Sequence, residues 1–156
     1  MKATILVDGV KYTGELVEKK GKFRAKKDGK YWLLNTWGSI VYVYENNDEI
    51  DNFLHLTGNY FATKEETEAY KAYLEALGRV THAVYELNDG WEPDWSDRNN
   101  KWCVYFEFYK NSWDINYDVS HSQYPQIIPY LKSEDLAEKL IKDHRTDLEV
   151  IRKYKV

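Results

Sequence analysis

Gly58-Asn59-Tyr60-Phe61-Ala62-Thr63-Lys64-Glu65-Glu66 carries an aromatic segment straight into a helix start. Thr63 with Glu66 three residues on is a capping box, in which hydroxyl and carboxylate each satisfy a backbone N–H that the first turn leaves without a partner. Further along, Ile127-Ile128-Pro129-Tyr130-Leu131-Lys132-Ser133-Glu134-Asp135 repeats the arrangement with a Ser cap. Leu136 stands where the reciprocal Glu would be, so this second box is partial.

From Thr63 the spacing predicts a helix to about Leu87. Tyr70, Tyr73, Leu74, Leu77, Val80, Thr81, Val84 and Leu87 recur at three- and four-residue steps, one apolar stripe. Gly78 interrupts it and suggests a close contact or a slight bend. Asn88-Asp89-Gly90 ends the helix. Upstream, Tyr31–Asn35 and Ile40–Tyr44 flank Thr36-Trp37-Gly38-Ser39 as a hairpin, and residues 45–52 read as an acidic loop. Downstream, Trp102, Val104, Phe106 and Phe108 share one strand face. After Lys110-Asn111-Ser112 the stretch Trp113 to Val119 alternates as a strand with one wet side. Gln126–Leu131 reads as a short edge strand beside Pro125 and Pro129. A Ser133-capped helix follows, burying Leu136, Leu140 and Ile141, and then a last helix over Thr146–Tyr154.

At the N-terminus Asp8-Gly9 is the dipeptide of a two-residue hairpin turn. Gly21 and Asp28-Gly29 mark turns around a short strand near Phe23–Ala25. The order is hairpin, hairpin, helix, hairpin, strand, helix, helix. We read one α+β domain over residues 1–156, a largely antiparallel sheet of hairpins with helices packed on one side. An internal duplication and two uses of a common unit both account for the repeated phrase.

The 156 residues fit one domain. Twenty-five rings (14 Tyr, 6 Trp, 5 Phe) make 16% of the chain and argue against disorder despite a mean hydropathy of -0.72. Cys103 is the only cysteine, so no internal disulfide forms, and it reads as a small strand residue rather than a reactive thiol. The N-terminal run is too short and too soon interrupted by charge for a signal peptide, and no apolar run reaches bilayer length. A cytoplasmic protein with no membrane contact is the expectation.

The net charge of -4 is unevenly spread. Residues 11–30 carry eight cations against three anions, and residues 31–156 sum to -9. The basic lobe is Lys19, Lys20, Lys22, Arg24, Lys26, Lys27 and Lys30; beside Phe23, Tyr31 and Trp32 it suits nucleic acid. A Lys-rich solvated turn explains the same charges.

No catalytic pattern is present. Trp91-Glu92-Pro93-Asp94-Trp95-Ser96-Asp97 lacks the length and the distal Glu of a calcium loop. Asp94 and Asp97 suit backbone caps there, with the Trp rings as lids on the core. His55, His82, His121 and His144 have no zinc spacing. His121 near Asp118 and Ser120 has no nucleophile elbow. We therefore expect no enzyme, no metal and no cofactor. Trp91, Glu92, Asp94, Trp95 and Asp97, with Asp114 and Asp118 on the wet strand face, form an acidic aromatic surface of a kind that binds proteins.

Gly58 to Glu68, together with Gly90-Trp91-Glu92-Pro93-Asp94-Trp95-Ser96-Asp97 and the aromatic strand after Lys101, resembles a family of small uncharacterised phage and prophage proteins of Gram-positive bacteria. The likeness spans roughly residues 30–145; the family pattern has Ala where Thr67 stands, and the hairpin of residues 1–25 lies outside it. The resemblance brings no catalytic residues. It implies a non-enzymatic accessory protein that binds and inhibits or modulates a bacterial host protein, such as a CRISPR nuclease or another defence component, in the host cytoplasm. The alternatives are a nucleic-acid-binding protein using residues 19–30 and a nucleotide sponge.

Overall fold

The computed structural model describes residues 2–7, 10–15, 22–119 and 126–154. The Asp8-Gly9 turn, Gly21, His121 and Pro125 lie outside them. In chain order come β1 (Lys2–Val7), β2 (Val10–Glu15), β3 (Lys30–Leu34), β4 (Ile40–Tyr44), α1 (Glu49–Thr57), α2 (Lys64–Asn88), β5 (Lys101–Glu107), β6 (Ser112–Asp118), α3 (Glu134–Asp143) and α4 (Arg145–Lys153). The class is α+β, as the pattern predicts. Among the described residues the strands form three separate antiparallel hairpins, β1–β2, β3–β4 and β5–β6. In the first, Val7 stands opposite Val10.

Each of the last two hairpins gains one residue from a returning chain. Trp32 and Phe61 exchange both backbone hydrogen bonds at 2.9 Å, and Trp102 and Leu131 do so at 3.0 and 2.7 Å. The predicted strand at 126–131 is thus a single bridge at Leu131. In both places the bridging residue lies two positions before a helix cap, so the repeated phrase has one geometry. Thr63 accepts from the Glu66 N–H, and Glu66 reaches back to the Thr63 N–H. Ser133 accepts from the Leu136 N–H alone.

Two asparagines reinforce the returns. Asn59 bonds both backbone groups of Leu34, at 2.9 and 2.7 Å. Buried Asn88, at the end of α2, donates to the Tyr130 carbonyl (2.8 Å) and accepts from the Lys132 N–H (3.0 Å). A carboxamide offers a donor and an acceptor side by side and so imitates a strand.

The main core lies between α2, β5–β6, α3 and α4. It buries Ala76, Val80, Ala83 and Val84 of α2 against Val104, Leu131, Leu140 and Leu148. Each large aliphatic side chain there contributes about 1.5–3 kcal/mol. The stripe of α2 is rotated from the one read in the sequence: Ala76 and Ala83 are in it, whereas Leu74 is exposed. Alanine scores weakly in a periodicity, yet it is what lets neighbouring helices approach. Gly78 is exposed, and a Cβ there would meet nothing within 4 Å, so it serves no close contact.

Three local expectations need correction. Residues 23–25 form no strand. Phe108 lies in the β5–β6 turn, exposed, because the strand ends at Glu107. The acidic loop of 45–52 contains the start of α1, which an Asp48–Asp51 capping box opens and Gly58 closes in the left-handed conformation (φ 85°).

Replacing Asn88 with Ala removes the two hydrogen bonds that its carboxamide makes to the Tyr130 carbonyl and the Lys132 N–H. The expected loss is about 1–3 kcal/mol, read as a lower urea midpoint with unchanged slope. A midpoint equal to that of wild type would show that the amide clamp is not needed.

Candidate functional site

The acidic aromatic loop 91–97 is largely committed to its own fold. Lys101, first residue of β5, is only 1% exposed. Its ammonium donates to Asp97 Oδ1 (2.8 Å), the Asp97 carbonyl (3.2 Å) and the Asn99 carbonyl (2.9 Å), which uses all three protons. Asp94 accepts from the Ser96 N–H and hydroxyl, and Asp97 from the Asn99 N–H. Hydrogen bonds from Ser96 hold the Asp94 carboxyl below its ordinary range, and the Lys101 contact does the same for Asp97. Trp95 meets buried Tyr130 edge-on at 5.3 Å, so one ring does serve as a lid. Trp91 is half-buried, and Glu92 is exposed.

The strand row does not join this loop as a free anionic surface. Asp114 is tied to Lys110 at 2.6 Å and accepts from the Ile115 N–H. Asp118 stands opposite Lys101 in the hairpin register and is half-buried. Cys103 is half-buried, and burial pushes its thiol up, away from reactivity.

The basic lobe is also divided. Lys22 donates to the His55 carbonyl (3.2 Å), and Arg24 pairs with Glu45 (3.0 Å). Lys30 sits over the rings of Trp32 (4.3 Å) and Tyr42 (4.0 Å). Lys26 and Lys27 are exposed, and their side chains make no hydrogen bond or ion pair among the described residues. Lys19 and Lys20 lie outside the described residues.

The most unusual local chemistry was not read from the sequence. Two buried carboxylates, Glu45 and Asp51, lie against two buried tyrosines. Tyr31 donates to Asp51 Oδ1 (2.6 Å) and Tyr60 to Glu45 Oε2 (2.5 Å). The two rings stack at 3.8 Å with 12° between their planes. Asp51 Oδ2 also accepts from the Asn46 N–H (2.6 Å), and Glu45 Oε1 from the Asn47 N–H (2.9 Å). Burial alone would raise both carboxyls. Bonds from Arg24, Tyr60 and the Asn47 N–H outweigh it at Glu45, and bonds from Tyr31 and the backbone outweigh it at Asp51, so both are held below the ordinary range. The Tyr60 hydroxyl is pushed up to about 12, first by burial and then by its bond to Glu45.

The cluster turns α1 inside out. Its buried residue is Asp51 (3% exposed), while Ile50, Phe53 and Leu56 are 69%, 64% and 83% exposed. These three stand at i, i+3 and i+6 and make an outward apolar ridge. Asp48 and Glu49, both exposed, flank its start. A sequence signal did exist, Asp48-x-x-Asp51 before apolar residues, but it was hidden within the run of acidic residues.

A cavity of about 690 Å³ opens between α2, the 57–62 segment and the end of α4. Rings of Phe23, Tyr60, Phe61, Tyr70, Tyr73 and Tyr154 line it. Among the described residues no three His, Cys, Asp or Glu side chains are grouped to hold a metal, and no helix is long and apolar enough to cross a membrane. No family model, no curated protein and no solved structure matches the chain.

The depressed carboxyls fix a pH dependence. As pH falls the unfolded chain takes up protons first, so the stability these groups contribute is complete above the ordinary values of 4.5 and 3.8. It is lost as pH drops through their lower folded-state values. The urea midpoint should therefore be level from neutrality to about pH 5 and fall below it. The Glu45→Gln, Asp51→Asn double variant should show a shallower acid limb; an acid limb as steep as wild type would contradict this assignment.

Proposed function

We propose that this chain is a non-enzymatic binding protein that inhibits or modulates a bacterial host protein, with α1 as its docking element. The observation that carries the reading is the reversed amphipathicity of α1. A helix serving only its own core buries its apolar side chains. This one buries Asp51, rests only Leu54 of its four large apolar side chains against the core, and leaves Ile50, Phe53 and Leu56 in water. The capping box and the Tyr31–Asp51 bond hold the backbone in place, so little ordering entropy is left for a partner to supply.

The ridge is apolar and its start is acidic, so its complement is an apolar groove with a cationic rim. Host proteins that handle nucleic acid carry cationic surfaces. This agrees with the phage setting that the family resemblance implies, and with a CRISPR nuclease or another defence protein as the target. The loop 91–97 is a weaker candidate, because its carboxylates already serve Lys101 and local backbone amides.

One arrangement favours a second reading. Lys30, Trp32, Tyr42 and Tyr44 form a cation–ring cluster on β3–β4, with Tyr42 meeting Trp32 and Tyr44 edge-on at 5.5 and 6.0 Å. Such a surface suits single-stranded nucleic acid.

The readings separate in one experiment. Wild-type chain and the Phe53→Asp and Leu56→Asp variants are used to capture protein from a host lysate. Both variants change exposed side chains, so circular dichroism should match wild type. The proposal expects one host protein at near-stoichiometric yield, reduced roughly tenfold by either variant and unaffected by Glu92→Gln. Equal capture by all forms would remove α1 from the interface. Salt-sensitive binding of a single-stranded oligonucleotide that Lys30→Glu abolishes would favour the second reading instead.

A further inference from the structure

We propose that the cavity between α2 and α4 is a binding site for a free purine mononucleotide, independent of the ridge on α1. Its volume of about 690 Å³ is that of a small-ligand site, which usually measures roughly 300–1,000 Å³. Ala62, Ala69 and Ala72 leave room along one side, and the rings close around them. Tyr73 and Tyr154 stack at 4.6 Å with 18° between planes, Tyr70 stands 5.9 Å from Tyr154, and Phe61 lies 5.1 Å from Tyr70. Ring faces of this kind favour a flat base over an aliphatic chain. The hydroxyls of Tyr70, Tyr73 and Tyr154 make no hydrogen bond among the described residues, which leaves donors and acceptors for the edge of a base.

Charge selects the remainder of the ligand. Three charged side chains line the cavity, Lys22, Glu66 and Lys153. Glu66 is engaged by the Ala62 and Thr63 N–H groups, at 2.9 and 3.3 Å, at the N-terminus of α2. Lys22 donates to a carbonyl and meets no carboxylate among the described residues. Lys153 stands 3.9 Å from Glu149, whose carboxylate is already taken by Arg152 at 2.7 Å. Two cations therefore face one committed anion, and the complement is a ring system carrying an anionic group. A phosphate on a purine nucleoside satisfies both requirements within the volume.

Titration calorimetry with AMP and with GMP tests the site, with adenosine, inorganic phosphate and a thymidine oligonucleotide as separate arms. Ala69 and Lys153 are both exposed, so Ala69→Trp fills the cavity and Lys153→Glu reverses a rim charge without disturbing the core. The expected result is saturable one-to-one binding of AMP or GMP. Adenosine and phosphate should each bind roughly tenfold more weakly or worse. Lys153→Glu should weaken AMP or GMP by a similar factor, Ala69→Trp should abolish binding, and Phe53→Asp should leave it intact. No heat from either nucleotide at about 1 mM, binding indifferent to both cavity variants, or preference for the oligonucleotide would overturn the proposal. Loss of lysate capture by Phe53→Asp bears only on α1, so the two readings stand or fall separately.

Discussion

Two carboxylates held under two stacked tyrosine rings are the constraint on which the first half of this protein depends. Charge buried without partners is costly, and neither Glu45 nor Asp51 could remain ionised in an apolar site. Here each carboxylate receives a phenolic hydrogen bond and at least one backbone N–H, and Glu45 adds a guanidinium at the edge. The small apolar cluster of Tyr31, Leu33 and Tyr60, with Leu54 and Val43 against it, closes around these bonds. The polar cluster and Leu54 fix α1 from beneath, so the helix does not need Ile50, Phe53 or Leu56 to hold it down. That release is what places Ile50, Phe53 and Leu56 in water, and it links the buried chemistry to the proposed docking role.

The same building unit appears twice, and its two copies differ in what covers the strand. A hairpin receives one residue of the returning chain, at Phe61 or Leu131, and a capped helix begins two residues later. Tyr60 and Tyr130, each just before the bridging residue, are both buried. Just before the bridging tryptophans stand Tyr31 and Lys101, again both buried. Tyr31 is capped by a carboxylate from α1, and Lys101 by a carboxylate and two carbonyls from the loop 91–99. One copy thus resolves its buried polar group with a helix, the other with a self-bonded loop. The loop is consequently occupied with structure, while the helix retains an unused face.

Much of this architecture was legible in the sequence, because its devices are local. The Thr63 capping box and the Asx bonds of Asp94 and Asp97 are each set by residues within a few positions of one another. The one-sided alternation expected of β6, by contrast, fails at Tyr117, which is exposed while Asp114 and Asp118 are half-buried. What escaped was set by distant partners. Tyr31 and Asp51 are 20 residues apart, and Tyr60 and Glu45 are 15 apart. Nothing in either neighbourhood signals that an Asp will be buried and a Phe exposed. Lys101 escaped although its partners are local, because three oxygens of Asp97 and Asn99 converge on its one ammonium. The acidic residues of 91–97 were legible as a cluster, but not their internal use. Periodicity likewise favoured Leu74 over Ala76, since size rather than spacing decides which residue a tight helix contact admits.

The central claim is that α1 is an interface element held in place by the carboxylate–tyrosine cluster beneath it. Hydrogen–deuterium exchange on the chain, alone and with its captured host protein, tests this most directly. The account predicts slowed exchange confined to residues 45–57 in the complex, with residues 91–101 unchanged. Protection centred on 91–101, with residues 45–57 exchanging as in the free chain, would contradict it.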